Sequence, residues 1–330
     1  MRDRLCFVRA VLLTVLVCSR ISHAQPRCVL AAVAALKVTE AEGKIIVPVT
    51  INHHEARFAV DTGSFATVLN LADALRLETT IAPYAASIVG IGGHTQMIGG
   101  TVDHLRLGNL NATALTVGLA DLWKARSWSD GLLGMDILGS YDLDFDTIGG
   151  YFVMYAPHGN CANPMTTLSG NLYDTLIEPS VGGQSAIIKI NVDGRTIRAL
   201  VDSATRQTVM FRDVAEGLGV DLKPLNIPGR DVTGGIGKSP VAIVRHQFAK
   251  VAIGNLQINN MVISVIDQST PGSDDARIES QGRAGSGEGG TGGEQMLLGA
   301  DFFRRFHVWI SHSSHRVIMQ YPPQASVLPR

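Results

Sequence analysis

Along most of this chain the apolar residues fall in short β-branched runs rather than at helical spacing. IIVPVTI (45–51), RFAV (57–60), AIIKINV (186–192) and KVAI (250–253) are such runs, and turn-forming pairs such as Gly108-Asn109 and Asp193-Gly194 punctuate them. The pattern predicts an all-β, mainly antiparallel protein. Two short helices are expected within it, at Leu71–Leu77 and Phe211–Leu218.

The same pattern occurs twice. Residues Ile46–Val68 read IVPVTINHHEARFAVDTGSFATV, and residues Ile187–Val209 read IIKINVDGRTIRALVDSATRQTV. At an offset of 141, Asp61 meets Asp202, Ser64 meets Thr205 and Val68 meets Val209. Further on, Gly108-Asn109-Leu110 matches Gly254-Asn255-Leu256, and Leu132-Leu133-Gly134-Met135-Asp136 matches Leu297-Leu298-Gly299-Ala300-Asp301. Each copy ends in a strand-like stretch, Phe152–Tyr155 and Val317–Tyr321. The landmarks keep their order, and the period is far longer than the roughly 20–50 residues of solenoids and propellers. Two copies of a whole lobe, related by a pseudo-two-fold axis, are therefore expected. The lobes divide the chain into residues 25–165 and 166–330. The second is stretched by a Gly/Ser/Glu-rich insertion at 273–293 that reads as a surface loop. A formal G-x-G-x-x-G at Gly287, Gly289 and Gly292 lies inside it, without the strand before and helix after that a dinucleotide site requires.

Composition narrows the classes. With 330 residues and 45% apolar content the chain can bury two substantial cores, and a net charge of −1 gives no footprint for nucleic acid. The first 24 residues read as an export signal, with Arg2 and Arg4, the apolar run Ala10–Val17, and Ser22-His23-Ala24 before Gln25. The run is too short to span a bilayer, and an uncleaved N-terminal anchor is the alternative. The expected product is exported, periplasmic or secreted, with no membrane span in its mature form. Removing Arg2, Arg4, Arg9, Arg20 and Asp3 from 28 basic and 29 acidic residues leaves a net charge of −4. Cys6 and Cys18 leave with the signal. Cys28 and Cys161 then form either one disulfide or two buried thiols.

Candidate chemistry sits at the matched aspartates. Asp61 ends the apolar stretch Phe58-Ala59-Val60 and precedes Thr62-Gly63-Ser64, while Asp202 ends Ala199-Leu200-Val201 and precedes Ser203-Ala204-Thr205. A carboxylate at the tip of a buried strand needs donors, and these residues offer a backbone N–H and then a hydroxyl. A lone D-T-G is a common turn; two equivalent copies in matched contexts are much more specific. The histidines show no metal-site spacing. His53 and His54 are adjacent and expected on opposite faces of a strand, and His312 and His315 flank a Ser-Ser turn and are expected in solvent. Trp123 and Trp128 either line a cleft or pack in the core.

With Leu132-Leu133-Gly134 and Leu297-Leu298-Gly299 downstream, these motifs resemble the double signature of pepsin-like and retroviral-type aspartic peptidases. The likeness covers nearly all of the chain from Ile45 to Tyr321, as two retropepsin-like lobes fused into one. It implies bilobal β-barrel architecture, a monomer with pseudo-two-fold symmetry, and an aspartic endopeptidase acting on polypeptide with Asp61 and Asp202 as catalytic pair. It implies that Thr62 and Ser203 bond across the pseudo-dyad and that Ser64 and Thr205 hold the outer carboxylate oxygens. It places flaps at Gly90-Ile91-Gly92-Gly93 and Gly234-Gly235-Ile236-Gly237. No metal or organic cofactor is implied. Ala204 stands where the family has Gly63's equivalent, and its Cβ would be strained if the backbone there had positive φ. A peptide-binding or scaffold protein of the same fold, with impaired chemistry, is the competing function, and a lipid- or glycan-binding envelope protein is a further one.

Overall fold

The computed structural model describes residues 28–91, 93–122, 128–161, 170–179, 185–222, 232–233, 241–267 and 293–321. The expected signal at 1–24, Trp123, Gly92, the second flap at 234–237 and all of the insertion but Gly293 lie outside these residues.

Each copy folds into its own sheet, whose short central strands Val68–Asn70, Gly131–Leu133, Val209–Phe211 and Met296–Leu298 are buried throughout. The first has eight strands, in the order Thr39–Ala41, Lys44–Ile51, His54–Val60, Gly131–Leu133, Val68–Asn70, Leu110–Ala120, Gly93–Leu107 and Thr80–Gly90. The second has seven, in the order Ile187–Val192, Arg195–Val201, Met296–Leu298, Val209–Phe211, Leu256–Ile266, Val241–Ile253 and Val232–Thr233. In both, an early strand also pairs with a late one, Thr50 with Arg106 and Ile190 with Ile253, which curls the sheet towards a barrel. Matched strands occupy matched places, as the duplication predicts.

A third sheet joins the copies. Its six strands run Val29–Lys37, Tyr151–His158, Asp142–Asp146, His307–Ser311, Arg316–Gln320 and Leu172–Leu176. The central pair brings the two halves of the chain together, with Leu143 opposite Ile310 and Phe145 opposite Val308. Phe145 packs at 4.8 Å from Phe152 and 4.6 Å from Phe303, so the aromatic core is also shared. Polar groups cross the same seam: Asp144 is hydrogen-bonded to His307, and Asp142 accepts from the Ser311 and Ser313 hydroxyls. At the sheet's outer edge Cys28 and Cys161 form a disulfide, which resolves the thiol alternative.

Several local expectations change. The first expected helix is a 3-10 turn at Leu71–Asp73, because Asp73 binds Asn70 and Arg76 while the Asn52 amide draws the carbonyls of Leu77 and Glu78 onto the barrel. The second spans Arg212–Gly217. Two further helices, Met135–Leu138 and Ala300–Arg305, follow the Leu-Leu-Gly strands. His53 is not on a strand face. With Asn52 it forms a two-residue turn in which both φ values are positive (44° and 72°), the counterpart of Asp193-Gly194 (47° and 91°). His312 is partly buried rather than free in solvent, and that burial pulls its imidazole below the usual range.

Candidate active site

Asp61 and Asp202 each sit one residue past the end of a strand that is pinned on both sides. His54–Val60 runs parallel to Gly131–Leu133, and Arg195–Val201 runs parallel to Met296–Leu298. The Asp61 N–H donates to the Leu133 carbonyl (3.0 Å), and the Asp202 N–H donates to the Leu298 carbonyl (2.9 Å). This backbone pairing fixes where the chain leaves each sheet. Both aspartates are buried.

The next residues bind the two loops to one another. Thr62 Oγ1 donates to the Val201 carbonyl (2.6 Å) and accepts from the Ser203 N–H (3.0 Å). Ser203 Oγ donates to the Val60 carbonyl (2.6 Å) and accepts from the Thr62 N–H (3.2 Å). Four otherwise orphaned groups are satisfied reciprocally, with both side chains fully buried. This is the arrangement the resemblance implies for Thr62 and Ser203.

The carboxylates themselves are served unequally. Asp202 Oδ1 accepts from the N–H groups of Ala204 and Thr205 (3.0 Å each), and its Oδ2 accepts from Thr205 Oγ1 (2.5 Å). Asp61 Oδ1 accepts from the Gly63 N–H (3.0 Å), but Ser64 Oγ turns away and donates to the Ala66 carbonyl (2.8 Å). The implied role of Ser64 therefore fails. Its hydroxyl finds a carbonyl two residues along, while the branched Thr205 keeps its oxygen on Asp202. Burial, together with the neighbouring Asp202 charge, pushes Asp61 up to about 7. Ala204 is not among the residues with positive φ, so its methyl group imposes no backbone strain. Gly63 is needed for a different reason: a Cβ there would lie 2.7 Å from Asp202 Cγ.

Beneath each loop is a support that motif reading passed over. Thr67 donates through its N–H and its hydroxyl to Asp136 (2.9 and 2.8 Å), and Gly134 N–H donates to Thr67 Oγ1 (3.1 Å). Thr208, Asp301 and Gly299 repeat the set at 2.7, 2.8 and 3.2 Å. A Cβ on Gly134 would meet the Ala66 backbone at 2.3 Å, and one on Gly299 the Gln207 backbone at 2.4 Å. The signal was present: both threonines lie inside the aligned repeats, at the same offset as the aspartates.

Lys44 is the other residue missed. It opens the strand Lys44–Ile51, and its Nζ donates across to the carbonyl of Ala204 in the other copy's loop. It also lies 5.8 Å from the centroid of the Trp128 ring. Its equivalent position in the second copy holds Ser185, so nothing in the repeat marks it.

Of the first flap, Gly90 pairs with Gly93 at the tip of the hairpin between Thr80–Gly90 and Gly93–Leu107, and Ile91 in the turn is partly buried against the core. Gly93 has φ +104, which a Cβ would not tolerate. Just behind its tip the hairpin contributes Ile88 and Met97 to a small apolar cluster with Ile46, Val68 and Leu132, and Trp128 packs on it. Trp128 thus takes the packing role, with Lys44 over its ring.

Among curated proteins no sequence matches the chain. In solved structures, the chain is similar to the aspartic proteinase from Irpex lacteus, at 13% identity and a TM-score of 0.51, covering 88% of this chain and 97% of that one. At that identity the likeness concerns the fold, which is the bilobal one expected. The family model described as "Aspartyl protease" matches in two segments, residues 47–137 and 188–302, one on each copy and together more than half of the chain. With its two matched loops, and by that double match, this chain belongs to the aspartyl protease family.

Proposed function

We propose that the protein is an aspartic endopeptidase in which Asp61 and Asp202 activate a water for attack on a peptide bond. The observation carrying this reading is the reciprocal bonding of Thr62 and Ser203, which holds the Asp61 and Asp202 loops together at the seam between the copies, near enough for Asp202 to act on Asp61. Two buried carboxylates so placed share one proton. Asp202, with three donors, is the better partner for the negative charge, and Asp61, with fewer donors and raised to about 7, holds the proton. The ionised group takes a proton from water as the water oxygen attacks the peptide carbonyl. The protonated group donates to the developing oxyanion, and a proton then passes to the leaving nitrogen. An extended polypeptide, bound in β-form between the lobes under the Gly90–Gly93 hairpin, is the substrate this geometry suits.

The competing scaffold reading rested on Ala204. The residue keeps its N–H on Asp202 at 3.0 Å and has no positive φ, which favours working chemistry. We further read the chain as lobes 25–165 and 166–330 behind an export signal at 1–24. The Cys28–Cys161 disulfide supports an oxidising destination, periplasmic or secreted. Among the described residues no helix is long and apolar enough to cross a membrane.

The test is cleavage of an unstructured protein between about pH 3 and 8, with and without a statine-type transition-state analogue. Cleavage that the analogue blocks, and that Asp61→Asn and Asp202→Asn each abolish in folded protein, is the expected result. Activity surviving either substitution would remove the dyad assignment.

A further inference from the structure

The turn that carries Lys44 is built to dock on the opposite lobe. Glu42 and Gly43 both have positive φ (50° and 74°) and close a tight hairpin in which Ala41 pairs with Lys44. A Cβ on Gly43 would lie 2.6 Å from Arg206 Cγ, so the turn sits directly against the loop that follows Asp202. Arg304, from the helix Ala300–Arg305, donates to the Gly43 carbonyl (3.2 Å) and to the Arg206 carbonyl (3.3 Å), clamping turn and loop together. The next residue along the hairpin then reaches Ala204, two residues past Asp202.

A partly buried ammonium is costly unless it meets negative charge. Two carboxylates act on Lys44, Asp61 from the first lobe and Asp202 from the second, and among the described residues Arg206 is the cation that opposes them; Arg304, on its helix, pairs instead with Glu40 of the strand Thr39–Ala41 (4.0 Å). Burial pulls the Lys44 ammonium below the usual lysine range, Asp61 and Asp202 pull it back up, and Arg206 lowers it again. With one proton on the aspartate pair, the pair carries a single negative charge and Lys44 a single positive one, so the cluster of three is neutral. Losing that proton or gaining a second leaves an uncompensated charge in a buried place.

We propose that Lys44 is a positioning residue of this site: held on the Ala204 carbonyl, its ammonium balances the single negative charge of the Asp61–Asp202 pair and sets the pH range over which the pair works. The inference rests on the peptidase reading, and it adds to it a third charged group that the second copy, with Ser185, does not supply. A cation beside the pair favours its ionised form, so the pair holds its charge to lower pH than two carboxylates alone would.

Lys44→Met keeps most of the side-chain volume and removes the charge. The acid limb of the kcat/KM profile is expected to move up by on the order of one pH unit. Lys44→Arg, which keeps the charge, returns the limb towards wild type; a purely structural lesion would lower the rate without moving the limb. In parallel, the carboxyl carbons of Asp61 and Asp202 are followed by NMR titration in wild type and Lys44→Met, a readout that needs no activity. If wild type cleaves and the two pH profiles superimpose, the role of Lys44 is overturned and the peptidase reading stands. If wild type is inert, the peptidase reading fails and the titration decides: midpoints raised in Lys44→Met support the coupling, and unchanged midpoints overturn it.

Discussion

A Cβ built on Gly63 falls 2.7 Å from the Cγ and 2.9 Å from the Oδ2 of Asp202, so the first lobe's loop touches the second lobe's carboxylate with no room for a methyl group. The two loops approach asymmetrically, since Ala204 in the other copy carries that methyl in a buried place. Gly63→Ala is therefore expected to lower kcat/KM at least about tenfold, through an overpacking cost of about 1–3 kcal/mol that displaces Asp202. Ala204→Gly retains the N–H donor and is expected to keep or raise activity, at about 0.5–1 kcal/mol of stability for added backbone freedom. The checks are kcat/KM on one peptide and the thermal midpoint of each variant. An active Gly63→Ala would mean that the loops sit further apart.

Thr62→Val replaces a buried hydroxyl by a methyl of the same shape. It leaves the Val201 carbonyl and the Ser203 N–H without partners, at about 1–3 kcal/mol. Ser203→Ala does the same to the Val60 carbonyl and the Thr62 N–H. Because both residues serve one network, the double variant should cost less than the sum of the two. Denaturant midpoints of the three proteins give the coupling, and strict additivity would refute a shared network.

Stability should depend on pH through Asp61. Its folded value of about 7 lies above the ordinary 3.8, so between these values the folded state binds more protons than the unfolded. The contribution is fully present below about pH 4 and is lost as pH rises through 7. Asp61→Asn has no such proton to lose. Unfolding free energies of the two proteins across this window should therefore diverge, the wild type falling relative to the variant as pH increases. Parallel curves would contradict the raised value.

Reduction of Cys28–Cys161 opens a loop whose ends are 133 residues apart. Loop-closure entropy puts the loss at up to about 5 kcal/mol, and Cys161→Ser should lose as much. Thermal midpoints with and without reductant measure it. An unchanged midpoint in the wild type would show that the bridge contributes nothing to stability.

The duplication made the fold legible because strand, turn and aspartate recur at one offset. Asp61 and Asp202, Thr62 and Ser203 could be read that way, since each residue's partner is its own repeat equivalent. What stayed hidden departs from symmetry or depends on distance. Lys44 has no cationic counterpart, and its target, a backbone carbonyl, has no signature in sequence. Ser64 and Thr205 are both hydroxyl residues, yet only the branched one keeps to its carboxylate. The helical pattern at Leu71–Leu77 was real but gave way to side-chain bonds made by Asn52 and Asp73. Thr67 and Thr208 were in plain view in the alignment, but their purpose shows only once Asp136 and Asp301 fold back beneath them.

The central pairing of Asp142–Asp146 with His307–Ser311 also means that the joining sheet is completed late in folding. The first lobe can close its own barrel as it emerges, yet one edge of Asp142–Asp146 must wait, bare, until the last strands of the chain arrive. A bare edge invites pairing with another molecule. Arrival of those strands thus removes an aggregation hazard, so a nascent chain stopped short of His307 should be prone to self-association. Light scattering of such truncated chains would show whether that edge is the sticky one.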